Sequence, residues 1–297
     1  MIFYLKVNRE EDYAFRNIQH WIDIIEIYEG NKVFFVCDKE RLEKSIIERI
    51  DFKNADVEFI KSYDDSSPLR EIVSEICDEF WTKAGYAHLT TFWHAKLNGY
   101  KYFWNIDADD TLFCLEPYRV KQALVEVQEY AIKQASAVFS LDMWRSMTNG
   151  WHWSFGVSFI NNTYDWMEIF RENMNKEYVK ASGQPMNLDG FFTAMKNNTD
   201  LKIDTFYFEN MKFVHFSDNF FKRPISSGMY YWKDDKLILP ILYYCIGARQ
   251  MGQKNIFKDV MKFDIDIKES EALTCLLKNN KGVPVNIDTE LKYYQNE

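Results

Sequence analysis

Cysteine is scarce and scattered: five in 297 residues, Cys37, Cys77, Cys114, Cys245 and Cys275, with no Cys-x-x-Cys pair. An odd, dispersed set excludes a disulfide framework and a structural zinc site, and reads as reduced thiols of a cytoplasmic protein. A basic surplus is also missing, because 36 Lys and Arg stand against 45 Asp and Glu, a net charge of -9. General nucleic-acid and anionic-membrane binders need the opposite balance, and an anionic substrate would need a bridging metal. The opening "MIFYLKVNREEDYAF" has neither the basic start nor the apolar length of a signal peptide, and reads as a first strand. The longest candidate apolar run, "LILPILYYCIGA" at 237–248, is too short to span a bilayer and contains a proline. It is a candidate buried helix, or a peripheral contact with the inner face of the membrane. Internal repeats and low-complexity linkers are absent too.

What is present is core material. Hydrophobic residues make up 47% and aromatics 17%, and the aromatics serve equally as core and as side chains that stack on sugar rings. "IFYLKV" reads as a strand, followed by a helix carrying Phe15, Ile18, Ile22 and Ile25 at helical spacing. "KVFFVCD" (32–38) has the continuous apolar character of a strand buried on both faces. A helix over 39–50 and a strand over 55–62 follow. Helical patterns then run through 69–84 and 89–99, the second ended by Gly99. Strands over 100–107, 136–143 and 154–161 alternate with helices over 116–134, 163–174 and 187–198, and strands at 202–208 and 212–217 are expected to close the sheet. This alternation predicts an α/β sandwich with a mostly parallel sheet over residues 1–235, with 236–297 as a helical appendage packed on it. Ligands of such sheets sit beyond the carboxyl ends of the strands, where Asp38 and Asp107 fall.

The stretch "YKYFWNIDADDTLF" (100–113) runs from a buried strand straight into Asp107, Asp109 and Asp110. Clustered carboxylates beside an apolar core are costly unless a cation sits among them. In extended chain Asp107 and Asp109 point to one side, and oxygen-only ligands suit magnesium or manganese. A turn-capping role for these acids is the alternative use of the same residues. A calcium loop does not fit, because Leu112 stands where glycine is needed and Tyr118 where a bidentate Glu belongs.

Two families resemble this stretch. "DADDTL" resembles motif one of the haloacid-dehalogenase phosphatases, which would make Asp107 the nucleophile and Asp109 the general acid. Asp110 stands where that motif has glycine, several elements precede it, and "WKDDK" at 232–236 is a poor match for the family's later Lys and acidic pair. A wider resemblance, over residues 1–235, is to nucleotide-sugar glycosyltransferases of the GT-A fold with their Asp-x-Asp motif. "FWHAKLNGYKYFWNIDADD" is similar to the family's helix, strand and metal motif. "NGWHWSFGVSFINN" resembles the glycine-containing loop and strand along the donor sugar, and "NLDGFF" the segment that places an acid beside the acceptor. "KFVHFSDNFFKRP" resembles the late strand whose His closes the metal site; a similar His, Lys and Pro run occurs in the glycogenin-like retaining branch, though the glycines between His and Lys are missing here.

The resemblance implies a transferase that moves a sugar from a nucleoside-diphosphate donor, with a UDP-sugar favoured, to a glycan or lipid-linked acceptor. It implies Mn2+ or Mg2+ held by Asp109 and His215, with Asp107 on the metal, a metal-bound water or the ribose. Val7, Asn8 and Asp38 would flank the base and ribose, Gly156 would line the donor sugar, and Lys222 with Arg223 would face the phosphates. Asp189 would serve the acceptor or act as general base, or else cap its helix. Trp144, Trp151 and Trp153 are either an acceptor platform or a core cluster. Retention or inversion stays open, as does a non-catalytic protein that kept the fold and binds the nucleotide without turnover.

Overall fold

The computed structural model describes residues 1–8, 10, 12–62, 69–77, 81–108, 117–141, 156–173, 177, 188–208, 211–214, 228–233, 236–238 and 291–293. Within them lie β1 (Ile2–Lys6), α1 (Asp12–Ile25), β2 (Lys32–Cys37), α2 (Glu40–Arg49), β3 (Asp56–Lys61), α3 (Leu69–Ile76), α4 (Thr82–Leu97), β4 (Tyr102–Asp107) and α5 (Pro117–Lys133). They continue as β5 (Val138–Leu141), β6 (Val157–Asn161), α6 (Trp166–Asn173), α7 (Leu188–Asn198), β7 (Ile203–Phe208), β8 (Met211–Val214), β9 (Gly228–Lys233), β10 (Lys236–Ile238) and β11 (Leu291–Tyr293).

The main sheet has eight strands in the order β11-β7-β5-β6-β4-β1-β2-β3. Strands β3, β2, β1 and β4 form a contiguous parallel block. β6 lies antiparallel between β4 and β5, and β7 is parallel to β5. The α/β sandwich with a mixed, mostly parallel, Rossmann-like sheet is therefore present.

Side-chain alternation along β1 builds both layers at once, since successive strand residues face opposite sides. Phe3, Leu5 and Val7 join one buried cluster with Ile18 and Ile22 of α1, Leu42 and Ile46 of α2, and Val120, Leu124 and Val127 of α5. Tyr4 joins the other, with Val73 of α3, Leu89 and Phe92 of α4, Trp166 and Phe170 of α6, and Phe191 and Phe192 of α7. Burial on both faces is why these strands read as unbroken apolar runs.

Two expectations need correction. The helix expected over 69–84 is two helices: α3 ends at Ile76, and α4 begins at Thr82 and passes straight through Gly85. Gly85 serves close packing there, since a Cβ would stand 2.7 Å from Cys77 Sγ and 3.3 Å from Val73 Cγ1. α4 does stop where expected. Gly99 takes φ +67°, its N–H reaches the Lys96 carbonyl at 3.2 Å, and the Tyr100 N–H reaches that of Ala95 at 3.0 Å. These two bonds form a Schellman motif.

The strand expected at 212–217 does not close the main sheet either. β8 pairs with β9, and β9 with β10, in a separate three-stranded sheet. Both edges of β7 are already taken, by β5 and by β11. Of the expected appendage, residues 239–290 and 294–297 lie outside the described residues. Among the described residues, no helix is long and apolar enough to cross a membrane.

Candidate active site

β1, β2 and β4 run in parallel and end side by side at Lys6, Cys37 and Asp107, with Lys6 in register with both Val36 and Asp107. Main-chain bonds carry the alignment one residue further. Val7 N–H donates to the Val36 carbonyl at 2.9 Å, and Ala108 N–H to that of Lys6 at 3.0 Å. β6 runs the other way, so its beginning meets the end of β4: Asp107 N–H donates to the Gly156 carbonyl at 2.7 Å. Val7, Asn8, Asp38, Asp107 and Gly156 thus arrive at one sheet edge. Val7 is buried, while Asn8 and Asp38 are exposed.

Lys6, Asn105 and Asp107 share the sheet face that α4 covers, because they alternate with Leu5, Ile106 and their neighbours in the opposite cluster. Lys6 is 5% exposed and donates from Nζ to Asn105 Oδ1 at 2.9 Å. The same Nζ lies 3.4 Å from Asp107 Oδ1, and the Asp107 side chain is 34% exposed. From α4, Thr91 Oγ1 donates to the His88 carbonyl at 2.7 Å and lies 3.3 Å from Asn105 Oδ1. An ammonium has only donors, so Asn105 must turn its oxygen to Lys6 and its NH2 to His88 Nδ1, 3.5 Å away. That makes Nδ1 the acceptor and leaves the ring proton on Nε2, 4.0 Å from Asp107 Oδ1. Burial first, and the Lys6 charge second, hold the His88 pKa well below the ordinary imidazole value. A neutral imidazole and a buried ammonium therefore back one oxygen of a carboxylate that opens outward.

Cys37, at the end of β2, is a buried thiol. Burial, then the charges of Glu43 and Asp38, push its thiol up to about 11.

Asp109, His215 and Lys222 lie outside the described residues, as do Asp110, Arg223 and the three tryptophans of the loop, Trp144, Trp151 and Trp153. Asp189 is the second residue of α7. Four residues after that helix ends, β7 begins, running in the same direction as β4. Among the described residues, no group of three His, Cys, Asp or Glu could hold a metal ion. Asp107 fits a hard divalent ion in kind, as an oxygen donor partly open to water.

Sequence reasoning missed Lys6, His88, Asn105 and Thr91. Lys6 had a signal, as the one charged residue within "IFYLKV".

No family model matches the chain. No curated protein matches it. Among solved structures, the chain is similar to core-mannan synthase A of Aspergillus fumigatus in its Mn/GDP form, with 14% identity and a TM-score of 0.25. The match covers 65% of this chain and 65% of that one.

Proposed function

We propose that the protein is a metal-dependent glycosyltransferase acting on a nucleoside-diphosphate sugar. One observation carries the reading: the first acid of "DADD" ends β4 on the carboxyl edge, tied by its own N–H to Gly156 and beside the ends of β1 and β2. Motifs widely separated in sequence are thereby gathered at the edge where α/β sheets bind ligands.

In this reading residues 1–235 form the transferase domain, and the later chain packs on it and lends β11 to the sheet. Val7, Asn8 and Asp38 take the base and ribose. Asp107 presents its outer oxygen to a ribose hydroxyl or to a water on the ion, and Asp109 and His215 hold the ion itself. When bound, a divalent ion stabilises the charge that develops on the departing diphosphate. Gly156 lets the donor sugar approach the backbone, Lys222 and Arg223 neutralise phosphate oxygens, and Asp189 positions the acceptor hydroxyl. A UDP-sugar is the favoured donor and a glycan or lipid-linked saccharide the acceptor.

A thermal-shift panel of nucleoside diphosphates and nucleotide sugars, with and without manganese, tests the reading. A ligand that binds only the native state raises the melting point. We expect a rise with one diphosphate, larger when manganese is present. Turnover of a generic phosphate ester with magnesium, and no nucleotide response, would instead favour the phosphatase chemistry. An Asp109→Ala variant that kept full manganese-dependent donor hydrolysis would contradict the metal assignment.

A further inference from the structure

The carboxylate expected to meet the ligand already has a cation behind it. Lys6 Nζ sits 3.4 Å from Asp107 Oδ1 and is anchored 2.9 Å from Asn105 Oδ1. Asn105 is fully buried and contacts Thr91 and His88 of α4. The backbone of Lys6 is held in β1 between two parallel neighbours, and its side chain, 4% exposed, is buried on the face that α4 covers. Its charge therefore cannot swing out of the way when a second cation approaches Asp107. Exposed lysines yield to such an approach by rotating into water; this one is fixed. A divalent ion arriving alone meets net repulsion from Lys6, whereas one arriving with a diphosphate brings enough negative charge to offset it.

We propose that Lys6 is a resident counter-charge that keeps the free protein's affinity for a divalent cation low, so that the cation binds well only together with a nucleoside diphosphate. The inference rests on the nucleotide-sugar reading of the site. It assigns Lys6 a positioning and charge-setting role, with Asn105 as its anchor.

The experiment is a manganese titration of the full chain, followed by the electron paramagnetic resonance signal of the free ion, with and without UDP or GDP. Ion bound by the nucleotide alone is subtracted. For the wild type, we expect the diphosphate to tighten manganese binding by about tenfold or more, an ordinary coupling between two ligands. Lys6→Met keeps the length and apolar stem of the side chain and removes its charge. It should raise manganese affinity in the absence of nucleotide by about tenfold, the size expected for deleting a unit charge a few ångströms from a divalent ion in a water-like medium. A purely structural role predicts the opposite sign, because a loosened site binds metal less well. Unchanged or weaker manganese binding by a folded Lys6→Met variant, with diphosphate binding intact, overturns the counter-charge and leaves the nucleotide-sugar reading standing. If that variant does not fold, the wild type decides: equal manganese affinity with and without a bound diphosphate overturns the inference. Failure of the wild type to bind either diphosphate, with or without manganese, removes both readings together.

Discussion

Two carboxylates of the main sheet, Asp107 and Asp204, each have a lysine nearby, and the two pairs are built inside out from one another. At the start of β7, Asp204 is 4% exposed and accepts a hydrogen bond from Ser136 Oγ at 2.5 Å. Lys202 Nζ stands 4.0 Å from Asp204 Oδ2, on a side chain that is 42% exposed. At the end of β4 the base is inside and the acid opens outward. Because β7 and β4 run in the same direction, the two pairs occupy opposite edges of the sheet. The acid of the β7 pair is satisfied from within and serves the fold. A buried acid with an exposed base seals a corner, whereas a buried base with a half-open acid presents a charge to something outside.

Exchanging the predicted consequences of the two acids would break that contrast. On the proposed transferase reading, Asp107→Asn should lower donor hydrolysis and transfer by roughly 100-fold, the scale of losing one preorganised polar group at a reacting centre. Its urea midpoint should report a loss of only about 1 kcal/mol, because the amide oxygen still faces Lys6. Asp204→Ala should do the reverse, costing about 2–3 kcal/mol by stranding the buried Ser136 hydroxyl, with the rate per folded molecule unchanged. Equal activity losses from both substitutions would show that the edges are not distinct. Ser136→Ala sharpens the same point at smaller scale: it removes one partner of Asp204 and should cost about 1 kcal/mol in denaturant unfolding.

His94 extends the contrast to a base held chiefly by burial. Its Nδ1 is 2.9 Å from the Tyr4 hydroxyl, its ring packs edge-on to Phe34, and burial lowers its pKa. The unfolded chain then takes up a proton on this ring at a higher pH than the fold does. The stability it confers is complete above the unfolded value of about 6.5 and declines as the pH falls below it. The gap between urea midpoints at neutral and mildly acidic pH should narrow in His94→Gln. The smallest effect belongs to Lys96 and Asp165, an ion pair at 2.7 Å with both side chains about half exposed. Lys96→Ala should shift stability by at most about 0.5 kcal/mol.

Much of the parallel half was readable in the sequence because burial on both faces leaves a plain mark: "IFYLKV", "KVFFVCD" and "YKYFWNID" are apolar nearly throughout, then turn polar where each strand reaches the edge. The gathering of Val7, Asn8, Asp38, Asp107 and Gly156 follows from that pattern once the strands are taken as parallel, with β6 reversed. Less legible was anything decided by contacts distant in sequence. Gly85 reads as a helix breaker, yet its lack of a side chain lets α4 lie against Cys77 of the segment after α3. The antiparallel pairing of β9 with β10, only two positions further along the chain, is likewise not marked by a favoured turn pair such as Asn-Gly or Asp-Gly. The network behind Asp107 depends on cross-strand register, Lys6 opposite Asp107, and on which turn of α4 faces it. Neither can be counted off along the chain.

β11 has a consequence for how the molecule is made. β7 is complete by residue 208, but the strand that covers its outer side is not translated until residues 291–293. A nascent chain on the ribosome can lay down the whole parallel block while that flank still shows bare amide and carbonyl groups, an invitation to sticky pairing with other chains. Products cut short ahead of residue 291 would keep the rim where β1, β2 and β4 end yet carry this open flank, and they should surface in the insoluble fraction.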